Sequence, residues 1–151
     1  MREVCMACLE LDQRLSAIRD RLTCIEHPRD RRIFLGCEAD QCVAVSRFLF
    51  EDLGLRYVIS TGIDGEGCFE VLHHFSDDAS GFVVTVKAFI RDRDHPSIES
   101  ITPWIPAAEW IEREIHDLLG IAFRNHPRLE RLILEDDWPK GVYPLRKDAE
   151  V

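Results

Sequence analysis

The sequence predicts an α+β fold, a two-layer α/β sandwich in the order α-β-β-α-β-β-β-α, closed by an extended tail. Three observations carry this reading. Leu11, Leu15, Ile18 and Leu22 recur at helical spacing. Three β-rich segments between Leu55 and Arg91 are separated by glycine-bearing turns. Ala108, Ile111, Ile115, Leu118 and Leu119 fall on one side of a helix at about 100° per residue.

The first helix carries Asp12, Arg14, Arg19 and Asp20 away from its apolar line. "CIEHPRDRRIFLGC" then reads as two short strands around a polar turn, with His27 in the turn before Pro28. A second helix is expected from about Asp40 to Leu53, with Val43, Phe48 and Leu49 toward the core. Gly54 stops it. "LRYVIST" and "CFEVLHHFS" flank "GIDGEG", where Asp64-Gly65 is a hairpin signal. "GFVVTVKAFIR" follows as a strand with Phe82, Val84, Val86, Ala88 and Ile90 on one face. These three strands make an antiparallel meander within a mixed sheet. Helices packed on one face of it give the simplest two-layer arrangement.

Composition narrows the function. The chain has 151 residues, 46% of them apolar, which suits one core. Its net charge is −9, with 28 acids against 19 bases, and that opposes contact with phosphate backbones. No nucleic-acid partner is expected. No apolar run is long enough to span a bilayer, and "MREVCMACLELDQRL" has no signal-peptide block. The expected location is the cytoplasm, with any membrane contact made through a partner. Of six cysteines, Cys5 and Cys8 form one CxxC pair without a second pair at ligand spacing. Adjacent His73 and His74 point to opposite faces of a strand, which separates them as metal ligands.

The final helix begins near Pro106 and ends at Gly120. Trp110, Arg113, Glu114 and Asp117 lie opposite its apolar face, and Glu112 lies near that face's edge. Arg113 is expected to pair with Glu109 or Asp117 on the exposed side. Glu114 and Asp117 are three apart, so a stand-alone hydrolase using this carboxylate pair is one reading. A small metal-binding regulator built on Cys5 and Cys8 is another.

A longer series of residues points elsewhere. Glu112-Arg113-Glu114, Asp117, Gly120, Phe123, His126-Pro127, Leu129 and Arg131 stand in order. Asp137-Trp138 and Pro144-Leu145-Arg146-Lys147-Asp148 follow, and "SIESITPWIPAAEW" precedes the helix. This series resembles the 30 kDa subunit family of respiratory complex I. That family includes the equivalent subunit of energy-converting, membrane-bound nickel–iron hydrogenases. Glu130 departs from the family pattern, where a basic residue often stands. The compact length and the "DDWPKGVYPLRKD" ending lean toward the hydrogenase branch and a separate, unfused subunit.

The resemblance implies a subunit with no redox centre and no catalysis of its own, in the cytoplasmic arm of a complex at the inner face of the membrane. It would pack beside the large hydrogenase-like, 49 kDa-type subunit and the iron–sulfur subunits. Iron–sulfur clusters, and a nickel–iron centre in the hydrogenase branch, would belong to those partners. On this reading Glu112, Arg113, Glu114, Asp117, His126 and Arg131 meet partners. Residues 1–134 form the domain and 135–151 a partner-binding tail. Pro139, Gly141 and Pro144 bar helix or long strand there. Trp138, Tyr143, Leu145, Arg146 and Lys147 are then its anchors on a neighbouring subunit. The alternative is a tail that folds back over its own core.

Overall fold

A computed structural model of the chain describes the backbone of residues 6–149 and the side chains of residues 10–149. The expected elements are present. Helix α1 (Met6–Leu15) runs into a 3₁₀ turn, Ser16–Arg21. Strands β1 (Cys24–Arg29) and β2 (Arg32–Glu38) form a hairpin. Helix α2 (Cys42–Arg47) leads to β3 (Arg56–Asp64), β4 (Phe69–Asp77) and β5 (Phe82–Ile90). Short strand β6 (Ser97–Glu99), helix α3 (Glu109–Leu119) and short strand β7 (Ala122–Arg124) complete the order.

The main sheet has the order β1-β2-β5-β4-β3. β3, β4 and β5 form the antiparallel meander, and β2 joins β5 in parallel. A parallel pair cannot be closed by a tight turn, so α2 and the meander lie between its members. Alternation along each strand separates the two faces. Ile33 and Leu35 of β2, Phe69, Val71 and Phe75 of β4, and Val84, Val86 and Ala88 of β5 are all buried. They share one core with Leu11, Leu15 and Ile18, with Val45 and Leu49, and with Ile115 and Leu119 of α3. All the helices therefore cover the same face. β6 and β7 pair in parallel as a separate two-stranded sheet. At three residues each they are too short to show a periodicity in sequence.

Three expectations are corrected. The second helix is α-helical only over Cys42–Arg47 and then widens into a π turn, Phe48–Asp52, where Leu53 N–H reaches Phe48 O at 3.0 Å. Cys42, Val45, Ser46 and Leu49 are buried, while Val43 and Phe48 are half-buried and pack against the core as expected. His27 lies in β1, because the reversal falls later, at Asp30 and Arg31, with Arg31 at φ 55°. The tail has no helix or strand, as its prolines require, but it turns back onto α3 instead of running extended.

Gly62 of β3 fixes the seat of α3. A Cβ there would lie 2.7 Å from Leu119 and 2.8 Å from Ile115. The missing side chain lets the helix settle onto the sheet. Among the described residues no helix is long and apolar enough to cross a membrane.

Candidate partner interface

Glu112 is fully buried. The loop after β6 supplies its partners. Ser100 Oγ and Thr102 Oγ1 donate to Oε2 at 2.5 and 2.6 Å, and Ile101 N–H donates to Oε1 at 2.8 Å. Burial lifts this carboxyl above its usual range, while the three hydrogen bonds pull the other way. His126 Nε2 stands 3.8 Å from Oε2, also fully buried. Its Nδ1 accepts the Arg128 N–H at 3.0 Å, and its Nε2 donates to the Glu109 carbonyl at 3.1 Å. That pattern fits the neutral ring with hydrogen on Nε2. The chain after β7 is thus pinned back to the first turn of α3.

The next turn of α3 repeats the device. Arg113 donates from Nε to Glu130 O at 3.0 Å and from Nη2 to Arg131 O at 2.9 Å. Its guanidinium also lies 5.5 Å from the centre of the Trp110 ring. One turn on, Asp117 Oδ2 accepts three backbone N–H groups, from Leu132 at 3.2 Å, Ile133 at 2.9 Å and Leu134 at 2.8 Å. Burial alone would raise the Asp117 carboxyl, but these bonds and Arg131 at 3.6 Å outweigh it and hold it low. Arg131 in turn donates to Glu135 O at 2.5 Å.

The tail closes the far end of the helix. Leu145 N–H bonds Leu118 O at 3.1 Å, and Arg146 Nε bonds Leu119 O at 2.7 Å. These bonds satisfy carbonyls that a helix end leaves open. The Arg146 guanidinium sits 4.6 Å from the Tyr143 ring centre and 4.9 Å from that of Phe69. Lys147 N–H bonds Asp64 Oδ2 at 2.9 Å, beside the Arg93–Asp64 pair at 2.6 Å. Trp138 Nε1 bonds Val142 O at 3.0 Å. Gly120 has φ 71°, and a Cβ on it would meet the Tyr143 ring at 2.5 Å, so glycine is required twice over.

The expected partner contacts are therefore divided. Glu112, Arg113, Asp117 and His126 are buried and satisfied within the chain, which corrects the expectation that they point at a partner. Arg131 and Arg146 are half-buried and serve chiefly as internal fasteners. Arg113 pairs with neither Glu109 nor Asp117 because the segment 130–134 has come between the helix and solvent. Glu114 is half-buried and makes no hydrogen bond or ion pair among the described residues. Lys147 is exposed, and Trp138 and Tyr143 are half-buried.

Three large apolar side chains stay exposed on the clamped helix and the chain that covers it. Trp110, Ile133 and Leu145 are 60%, 54% and 59% exposed. Ile133 flanks Asp117 and Leu145 flanks Leu118, so the three follow the outer line of α3. Trp110 was legible as an outward residue on the helical wheel. Ile133 carried a weaker signal, an apolar side chain just before "EDDW". Ser100 and Thr102 carried none, because their role depends on where the loop returns.

Other chemistry finds little support here. Asp117 has its Oδ2 fully engaged, and Glu114 does not line the adjacent cleft between His116 and Tyr143. That cleft holds about 230 Å³, below the roughly 300–1,000 Å³ of small-molecule sites. His73 and His74 do face opposite ways. His73 is fully buried, hydrogen-bonded from Nδ1 to Ser60 Oγ at 2.6 Å, and burial pushes its pKa down to about 3. His74 bridges Thr61 and Thr85 on the other face. Among the described residues no three His, Cys, Asp or Glu side chains gather as a metal site. The Cys5 residue and the Cys8 side chain lie outside the described residues.

A family model, "Respiratory-chain NADH dehydrogenase, 30 Kd subunit", matches residues 35–151. A subunit of the NADH-quinone oxidoreductase of Roseiflexus castenholzii is 37% identical over 116 residues, covering 73% of this chain. The match covers 65% of that relative, so the chain spans less than two thirds of its length. Hydrogenase-4 component G of Escherichia coli is 48% identical over 66 residues, 44% of this chain and 12% of that one. Among solved structures, a chain of the membrane-bound sulfane sulfur reductase, an archaeal respiratory membrane complex, superposes with a TM-score of 0.78. It is 28% identical, and the match covers 95% of this chain and 85% of that one.

Proposed function

Since the chain belongs to the 30 kDa subunit family of the respiratory-chain NADH dehydrogenase, we propose that it is a non-redox assembly subunit of a complex I-like or hydrogenase-type membrane complex. The observation that carries this reading is the use made of the charged series on α3. Glu112 holds the loop before the helix, Arg113 and Asp117 fasten the returning chain onto it, and Trp110, Ile133 and Leu145 are left to the outside. Large apolar side chains held outward on a rigid element suit docking better than catalysis.

In this reading the large 49 kDa-type subunit and the iron–sulfur subunits are the partners. The iron–sulfur clusters, and nickel–iron where present, reside in them and not in this chain. The chain meets the membrane only through the complex, on its cytoplasmic face. The relatives' names support both branches.

The test is capture. The tagged full chain is co-expressed with the subunits encoded beside it, and the purified complex is assayed for the proteins retained, for iron and for visible absorption. The wild type retains the large subunit, while Trp110→Glu combined with Leu145→Glu loses it and melts as before. Capture undiminished by that double change sinks the docking assignment. Near-stoichiometric iron or flavin in the chain purified alone sinks the non-redox assignment.

A further inference from the structure

The two edges of the main sheet are built differently. β1 carries Glu26, His27, Pro28 and Arg29 and a register shift between Glu26 and Arg29. Charge, proline and bulge are the usual means of keeping an edge from pairing. β3, at the other edge, is nine residues long and has no charged residue from Tyr57 to Ile63. Its end charges are already engaged, Arg56 with Asp78 at 2.8 Å and Asp64 with Arg93 at 2.6 Å. Val58, Ile59 and Ile63 are each more than a third exposed. With Trp110, Ile133 and Leu145 they make up the exposed large hydrophobics of the described residues.

The backbone of β3 is also turned outward at defined points. Gly65 N–H bonds Cys68 O at 3.0 Å, which sets the hydrogen-bonded pairs of the β3–β4 ladder. Alternation from there points the N–H and C=O of Ser60 and Gly62 away from β4, toward the open edge. No described residue hydrogen-bonds to them. The register shift of β3 lies beyond this stretch, between Tyr57 and Ile59.

We infer that β3 is a second docking element, which pairs with an extended, uncharged and largely apolar segment of a neighbouring subunit in the assembled complex. The inference rests on the assembly role proposed above. The unpaired backbone groups call for a strand, and the uncharged run calls for an uncharged one. A second copy of this chain is the weaker occupant. A contact confined to one nine-residue edge falls well short of the roughly 1,200–2,000 Å² of a stable interface. A neighbouring subunit that also covers Trp110 and Leu145 is free of that limit, since α3 packs directly over β3 through Ile115, Leu119 and Gly62.

Hydrogen exchange on the full chain tests this, read alone and in the complex purified through a tag on it. The amides of Ser60 and Gly62 should exchange at least tenfold more slowly in the complex. Ile59→Lys should reduce the yield of complex at least tenfold and leave the melting of the isolated chain unchanged. A complex that depends on Trp110 and Leu145, yet leaves those amides as fast as before, rejects the β3 edge and keeps the assembly role. A chain that captures no subunit rejects both. Slowing on concentration of the chain alone, with a dimer mass by light scattering, replaces the partner with a second copy and overturns the inference. So does full yield from Ile59→Lys.

Discussion

Asp117 offers the sharpest perturbation of the clamp. One oxygen of a buried carboxylate holds three consecutive backbone amides, Leu132 to Leu134. A hydrogen bond to a charged group contributes about 1.5–3 kcal/mol. Three donors sharing one acceptor fall short of three times that, and an amide freed near the surface recovers water. Asp117→Ala is therefore expected to cost about 3 kcal/mol. Asp117→Asn keeps an acceptor and loses the charge, and should cost about 1–2 kcal/mol. The pH dependence has a definite sign. The folded carboxyl is held below its unfolded value, so the clamp's contribution is complete above the unfolded pKa and is lost as pH falls through the folded one. Urea denaturation of the isolated chain at neutral pH, and again below about pH 4, should show the wild type and Asn variant converging in acid. Amide exchange at Leu132–Leu134 should rise in both variants. An Ala variant within about 0.5 kcal/mol of wild type, with those amides still protected, refutes the clamp.

Three further outcomes follow from the same geometry. Glu112 is shifted upward by burial, so its ionisation opposes folding, and stability should rise as pH falls from neutral through its folded pKa. A Glu112→Gln variant should lack that rise in calorimetric scans. Gly62→Ala should cost about 1–3 kcal/mol in denaturant titration, since its methyl meets Ile115 and Leu119 well inside contact distance. Arg146→Met keeps the stem but removes the bond to Leu119 O. Exchange at Leu145 and Lys147 should then quicken while the β4 and β5 amides stay protected.

Much of the fold was legible because its elements are long and periodic. The 11/15/18/22 spacing, the alternation in β4 and β5 and the glycine-stopped α3 each report a local pattern that the core then uses. The parallel joining of β2 to β5 was open, since no local signal specifies which strands meet. The resemblance read on residues 97–148 is borne out by the family match over residues 35–151. The roles within that motif were less legible. A helical wheel places Arg113 and Asp117 away from the sheet, and they are. It cannot show that residues 130–134 return to cover them. Glu112 looked like a residue at the edge of the core, but its three donors come from a loop ten or more positions upstream. Leu145 followed the reverse course. Its backbone folds home to Leu118, and its side chain remains outside.

The parallel seam between β2 and β5 has a consequence for how the chain reaches this structure. The β1–β2 hairpin and the β3–β5 meander each close over short loops and can form early. The seam pairs residues about 50 positions apart, such as Ile33 with Val84 and Leu35 with Val86. Its loop-closure entropy must be met before those contacts give anything back. During synthesis β2 has no partner for the seam until β5 has emerged. Substitutions along the seam should act on the folding rate if the transition state lies at that closure. The meander that carries β3 and the seam thus become possible together, once β5 is available to both β4 and β2.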